Sequence, residues 1–258
     1  MSVIATGILA SLAAGMATVL GALAIWLFPR PSDRQQSVLL GFAAGVMLAA
    51  SFFSLIVPAL DHMQAEGATP PFAAATVVAA VLLGALLVGG LERILPPLDG
   101  IGVGPRAIAD VSARRMWLFV AAVTLHNLPE GFAVGVAFGG NDIAAATATA
   151  LGIGLQNIPE GLAVAIAVTL LGYRPVRGVQ VALFSGLVEP VGGALGVVLT
   201  SAVSAFLPWG LGIAAGAMIF VVASEVMPDI QRRVEARRGQ HALMIGLATM
   251  MFLDVSLG

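Results

Sequence analysis

The chain has 258 residues, 59% apolar and 10% charged, with a formal net charge of -2 and a mean hydropathy of +1.00. A soluble domain of this length carries roughly 25% charged residues, so water is excluded as the solvent for most of the chain. Cysteine is absent, which rules out disulfides and thiolate metal sites and leaves oxygen and imidazole nitrogen as ligands for any metal.

About 20 largely apolar residues cross a bilayer core, and eight such segments can be laid along the sequence. The first, 3–28, begins after Ser2 with no basic leader region, so we expect a retained helix and not a cleaved signal. The next two, 36–60 and 71–95, are separated by a connection running from Asp61 to Pro70. The stretch from Pro96 to Ala113 is the one connection of any length. Beyond it lie 114–139, 142–171, 177–205, 209–230 and 240–257, with short links between them. The expected fold is all-α: a single polytopic membrane domain over residues 1–258, with eight transmembrane helices in an inverted-repeat-like bundle around a midplane site.

Cytoplasmic loops hold the excess of basic residues. All twelve are arginines, and they fall on alternate connections: Arg30 and Arg34; Arg93, Arg106, Arg114 and Arg115; Arg174 and Arg177; Arg232, Arg233, Arg237 and Arg238. The second, fourth and sixth connections have none. An odd span count would split the arginines between the two faces, so both termini are expected outside the cytoplasm, in the inner membrane of the cell. Glycines recur four apart at Gly41/Gly45, Gly131/Gly135/Gly139, Gly192/Gly196 and Gly212/Gly216, a spacing that lets helix backbones approach closely in lipid. Trp26, Trp117 and Trp209 lie near predicted span ends, where aromatic belts form.

Ionisable groups inside a membrane cost on the order of 2.5–3.5 kcal/mol each and mark function by default. Span four reads His126-Asn127-Leu128-Pro129-Glu130-Gly131, and span five reads Gln156-Asn157-Ile158-Pro159-Glu160-Gly161. In each copy the first residue and the Glu stand at i and i+4, on one helix face about a turn apart. His126, Glu130, Gln156 and Glu160 thus offer imidazole, amide oxygen and two carboxylates to one point, a set suited to zinc, iron(II), manganese or cadmium. Pro129 and Pro159 lack an amide hydrogen and free the carbonyls of Leu125 and Leu155, so helix irregularity is expected to coincide with the ligands. Span six adds Glu189-Pro190, with Ser185 one turn earlier. Glu189 is expected to join Asn127 and Asn157 at a second metal position, bridged to the first by Glu130 and Glu160.

Three other activities account for the motifs less well. An intramembrane metalloprotease needs a motif such as His-Glu-x-x-His, which is missing. A water or neutral-solute channel does not call for a glutamate in each repeat. A proton-coupled organic-solute carrier explains isolated acids but not the His/Gln/Glu/Glu set.

At these motifs, with Gly216-Ala217-Met218-Ile219-Phe220 leading to Glu225 and with Leu253-Asp254-Val255, the sequence resembles the ZIP (Zrt/Irt-like protein) family of divalent metal transporters, bacterial branch, over essentially the whole chain. The resemblance implies eight helices, a binuclear site in spans four to six, transport of zinc or a similar divalent ion into the cytoplasm, a homodimer in lipid, and sliding of one bundle against another. The metal would be cargo; no prosthetic group, enzymatic activity or nucleic-acid partner is expected. The histidine-rich loop of many relatives is missing between Leu95 and Val111, and Ser224, not His, precedes Glu225. An exit-side site would then rest on Glu92 and Glu225. Asn157 stands where some members carry Asp, making the second position less charged. Asp61 and His62 follow span two, either collecting metal at the outer face or forming a solvated helix end; Asp254 is read as structural.

Overall fold

The computed structural model describes residues 2–27, 32–94, 111–140 and 142–257. Every regular element among them is helical. Helix α1 (Val3–Leu23) starts on Ser2, whose Oγ accepts from the Ala5 N–H, and tightens at Ala24–Trp26. Helix α2 (Asp33–Ala49) opens with a capping box: Ser32 Oγ accepts from the Gln35 N–H, and Gln35 returns its side-chain oxygen to the Ser32 N–H, which satisfies two otherwise orphaned donors. A π-helical stretch, Ala50–Ile56, links α2 to α3 (Val57–Ala65). Then come α4 (Pro70–Ile94), α5 (Val111–Gly139) and α6 (Ile143–Leu170), the last capped by Asp142. Helices α7 (Pro175–Gly186) and α8 (Glu189–Ala202) form one rod interrupted at Leu187 and Val188. Helix α9 (Leu207–Val221) continues through a second π stretch, Val222–Val226, into α10 (Met227–Arg232), and α11 (Ala236–Leu257) follows.

Six of the described segments are long and apolar enough to cross a bilayer: Val3–Trp26, Asp33–Ala65, Pro70–Gly90, Ile143–Thr169, Pro175–Ala202 and Leu207–Arg232. The chain is an all-helical membrane protein. The sequence segments 114–139 and 240–257 fall on α5 and α11.

Two local expectations are corrected. The second rod does not stop at residue 60 but runs to Ala65 and ends at Gly67, whose φ of +90° suits a residue without Cβ; Asp61 and His62 therefore sit on helix. Helix α5 passes through Pro129 and α6 through Pro159 without a break. The irregularity lies instead at the α7–α8 interruption and in the two π stretches. Each π stretch is followed by a proline, Pro58 or Pro228, at the second position of the next helix. Proline cannot donate to the carbonyl four residues back, and its ring crowds that turn; the wider π turn makes the room.

The helices sort into two bundles. In the first, α1, α5, α6 and the α7–α8 rod all touch one another. In the second, α2 packs on α11 and α4 on α9, with α3 and the first π stretch against α9. The bundles meet where α6 faces α2 and α11, and where α5 faces α9. Glycine sets the closest approaches. A Cβ on Gly131 or Gly135 would strike the backbone of Glu189 or Gly193, and one on Gly192 or Gly196 would strike the backbone of α5 at Leu128 or Phe132. The same holds for Gly161 against Thr18, Gly41 against Gly239, and Gly216 against Val81. Such contacts are the small-residue packing that replaces hydrophobic attraction between helices in lipid.

Candidate metal centre

The first bundle encloses a cluster of polar side chains. Asn127 and Glu130 come from α5, Gln156, Asn157 and Glu160 from α6, Ser185 from the end of α7, and Glu189 from the start of α8. All are buried; Glu160 is the most open, at 8% exposure. The Gly131–Glu189 contact explains part of the convergence: the missing Cβ lets the α8 backbone lie against α5 immediately beside Glu130. Glu189 is the first residue of α8, where the positive end of the helix dipole faces a carboxylate. The carboxyl groups of Glu130, Glu160 and Glu189 lie within electrostatic reach of one another.

The amides hold this cluster from its edges. Gln156 Nε2 donates to Glu130 Oε1 at 2.5 Å. Asn127 Nδ2 donates to Ser185 Oγ at 3.2 Å. Asn157 Nδ2 donates twice, to Glu189 Oε1 at 2.7 Å and to the Ala14 carbonyl of α1 at 2.9 Å. The amide nitrogens are thus committed to the protein, and the oxygens are left over. Asn127 Oδ1, Glu130 Oε2, Gln156 Oε1, Asn157 Oδ1 and Glu189 Oε2 are all buried without a hydrogen-bond donor. Burying an unpartnered polar atom is costly, and five acceptors in one cluster with no donor are the complement of a cation. The donor set is mixed: among the described residues no three His or carboxylate side chains form a metal cage by themselves.

The remaining sequence candidates are placed as follows. His126 lies on α5 one turn before Glu130, Glu92 in the last turn of α4, and Glu225 in the second π stretch; their side chains lie outside the described ones. Asp61 and His62 line a separate cavity of about 820 Å³ between the bundles, together with Ser54, Asp142 and Asp254. There Ser54 Oγ donates to Asp254 Oδ1 at 2.6 Å, and His62 Nε2 lies 3.6 Å from Glu66 Oε1. Asp254, read as structural from the sequence, does bond within the fold, but it also faces this cavity. Two contributors were not foreseen. The Ala14 carbonyl of α1 is a backbone group with no sequence signature, and Asp142, which the sequence did not single out, caps α6 by accepting from the Ala145 N–H.

A helical membrane protein that gathers carboxylates and carboxamide oxygens at the heart of one bundle belongs among the cation-handling proteins of the bilayer. Comparison with known proteins narrows that class. The family model described as ZIP Zinc transporter matches residues 107–254. The chain is 40% identical to the zinc transporter GufA of Myxococcus xanthus over 98% of its own length and 99% of that relative. It is 43% identical to the zinc transporter ZIPB of Bordetella bronchiseptica, covering 95% of this chain and 80% of the relative. The human zinc transporter ZIP11 is similar at 29% identity, over 93% of this chain and 94% of the relative. The chain belongs to the ZIP zinc transporter family.

Proposed function

We propose that this protein carries zinc into the cytoplasm through the polar cluster of α5, α6 and α8. The observation that carries the reading is the set of five buried oxygens with no donor, contributed by the two repeated motifs and by Glu189. In this reading His126, Glu130, Gln156 and Glu160 hold the first ion; Asn127, Asn157 and Glu189, with the bridging glutamates, hold a second. Carboxylate, imidazole and amide ligands accept zinc and also cadmium, iron(II) and manganese. Asp61 collects the ion on the outer side, and Glu92 with Glu225 receives it on the inner side.

The whole chain acts as one transport domain of eight spans in the inner membrane, with both termini outside, working as a homodimer and without enzymatic activity. The segregation of all twelve arginines onto alternate connections supports that topology. Alternating access fits the two-bundle packing, with the site-bearing bundle moving as a body against the other.

The test is metal flux into liposomes holding the purified protein, with zinc, cadmium, iron(II), manganese and magnesium compared, and with Glu130→Ala and Glu160→Ala alongside. Saturable zinc flux lost in both variants is expected. Zinc flux at the unaltered rate in either variant would overturn the site, and passage of water or organic solute with no metal flux would overturn the function.

A further inference from the structure

We propose that Asn157 is a positioning residue: its amide nitrogen clasps α1 to the carboxylate-bearing helices and aims Glu189. A carboxamide nitrogen carries two hydrogens, and both are spent, one on the Ala14 carbonyl of α1 and one on Glu189 Oε1 of α8. Each of those partners is an acceptor with no proton to give when Glu189 is ionised. In this chain position 157 donates twice, and an ionised aspartate, which some family members carry there, would make neither bond and would set a third acceptor against two others. With Oε1 held by Asn157, Glu189 keeps Oε2 buried and unpartnered, and Asn157 Oδ1 is left unpartnered as well.

A second observation comes from α1. Several helical Ser and Thr donate to the carbonyl four residues back, as Ser51, Thr124, Thr149 and Thr169 do, while Ser37 and Thr200 have no partner. Thr18 is 1% exposed, and the equivalent acceptor for its hydroxyl is the Ala14 carbonyl. That carbonyl is engaged by Asn157, and Thr18 Oγ1 is left without a partner. The carbonyl that the Thr18 hydroxyl would otherwise use is thus the one that Asn157 holds. Helix α1 supplies no ionisable group to the site, yet it lies against α6 at Gly161 and against the end of α7 at Gly186, so the clasp joins three rods at the depth of the carboxylates.

The clasp is tested without metal, by a double-mutant cycle on the melting temperature of the purified, chelator-treated protein in detergent. Thr18→Val removes a hydroxyl that has no partner, so in the otherwise unaltered protein melting is expected to move by no more than about 1 °C. In Asn157→Ala the Ala14 carbonyl is released and the Thr18 hydroxyl is expected to take it up. Thr18→Val in that background is then expected to lower melting by a further ~3 °C or more. The same effect of Thr18→Val in both backgrounds would overturn the clasp.

The aiming of Glu189 rests on the proposed metal site and has its own readout. Asn157→Asp is expected to reduce zinc uptake into liposomes at least about tenfold, because two donated bonds become two repulsions. Uptake equal to or above that of the unaltered protein would mean that position 157 serves only as a ligand. The melting cycle involves no zinc, so it stands or falls apart from the transport reading.

Discussion

The two bundles share glycine packing and differ in what they enclose. Every fully buried carboxamide and carboxylate among the described residues lies in the bundle of α1, α5, α6 and α7–α8, while glycines bring helices backbone to backbone in both bundles. The bundle of α2–α3, α4, α9–α10 and α11 buries little polarity beyond Ser37, Ser51 and Ser54. It is tied at one end by charge: Arg233 grips Asp229 through two nitrogens and reaches Gln36 and Asp33 at the start of α2, while Asp33 accepts from the Glu235 N–H. It also contains both π stretches. One bundle encloses the polar chemistry; the other is an apolar frame fastened at its rim. A polar cluster in lipid demands positional accuracy, and backbone contact supplies it more firmly than long side chains can.

That contrast can be broken at several points, beginning with the largest effect. Glu130→Ala should reduce zinc flux to background while the protein still inserts and migrates as a monodisperse particle; flux near the unaltered rate would remove the cluster from the pathway. Gly131→Ala places a Cβ against the Glu189 backbone and should reduce flux roughly tenfold by pushing α8 away from Glu130, a displacement of the kind that overpacking causes. Gly90, where an added Cβ meets nothing within 4 Å, is its control, and Gly90→Ala should leave flux unchanged.

Acidifying the outer solution from pH 7.5 to 5 should lower zinc uptake several-fold, since ligands must shed protons to bind metal; a flat profile would separate transport from ligand protonation. The smallest effect is expected in the frame. Arg233→Ala should cost on the order of 1 kcal/mol of stability, as partly exposed ion pairs do, and leave the KM for zinc in place. A large rise in KM would show that the rim of the frame governs the site.

Much of the fold is legible in the sequence because lipid permits few options. Apolar runs between Pro, Gly and Arg breaks placed helical segments to within a few residues on most of their described ends. Asn127, Glu130, Gln156, Asn157, Glu160 and Glu189 were chosen by their chemistry in an apolar context, and the fold gathers these six. What escaped had no side-chain signal. The π stretches depend on how a helix accommodates Pro58 and Pro228, whereas Pro129 and Pro159, in the same kind of apolar sequence, leave α5 and α6 unbroken. The Ala14 acceptor is a peptide carbonyl. Ser185 was noticed for its place one turn before Glu189, but its partner across the bundle is Asn127.

The reciprocal glycine contacts between α5 and α8 also fix which parts of the protein are free to drift. Phe184, Val191, Leu195 and Val198 on the α7–α8 rod are exposed; exchanging one apolar side chain for another there changes only what meets the lipid tails. At Gly131, Gly135, Gly192 and Gly196 the smallest possible addition meets main chain. The same rod is thus permissive on one flank and nearly immutable on the other, and a saturation-mutagenesis map of it should show a stripe of intolerance four residues in period, running through positions that carry no side chain at all.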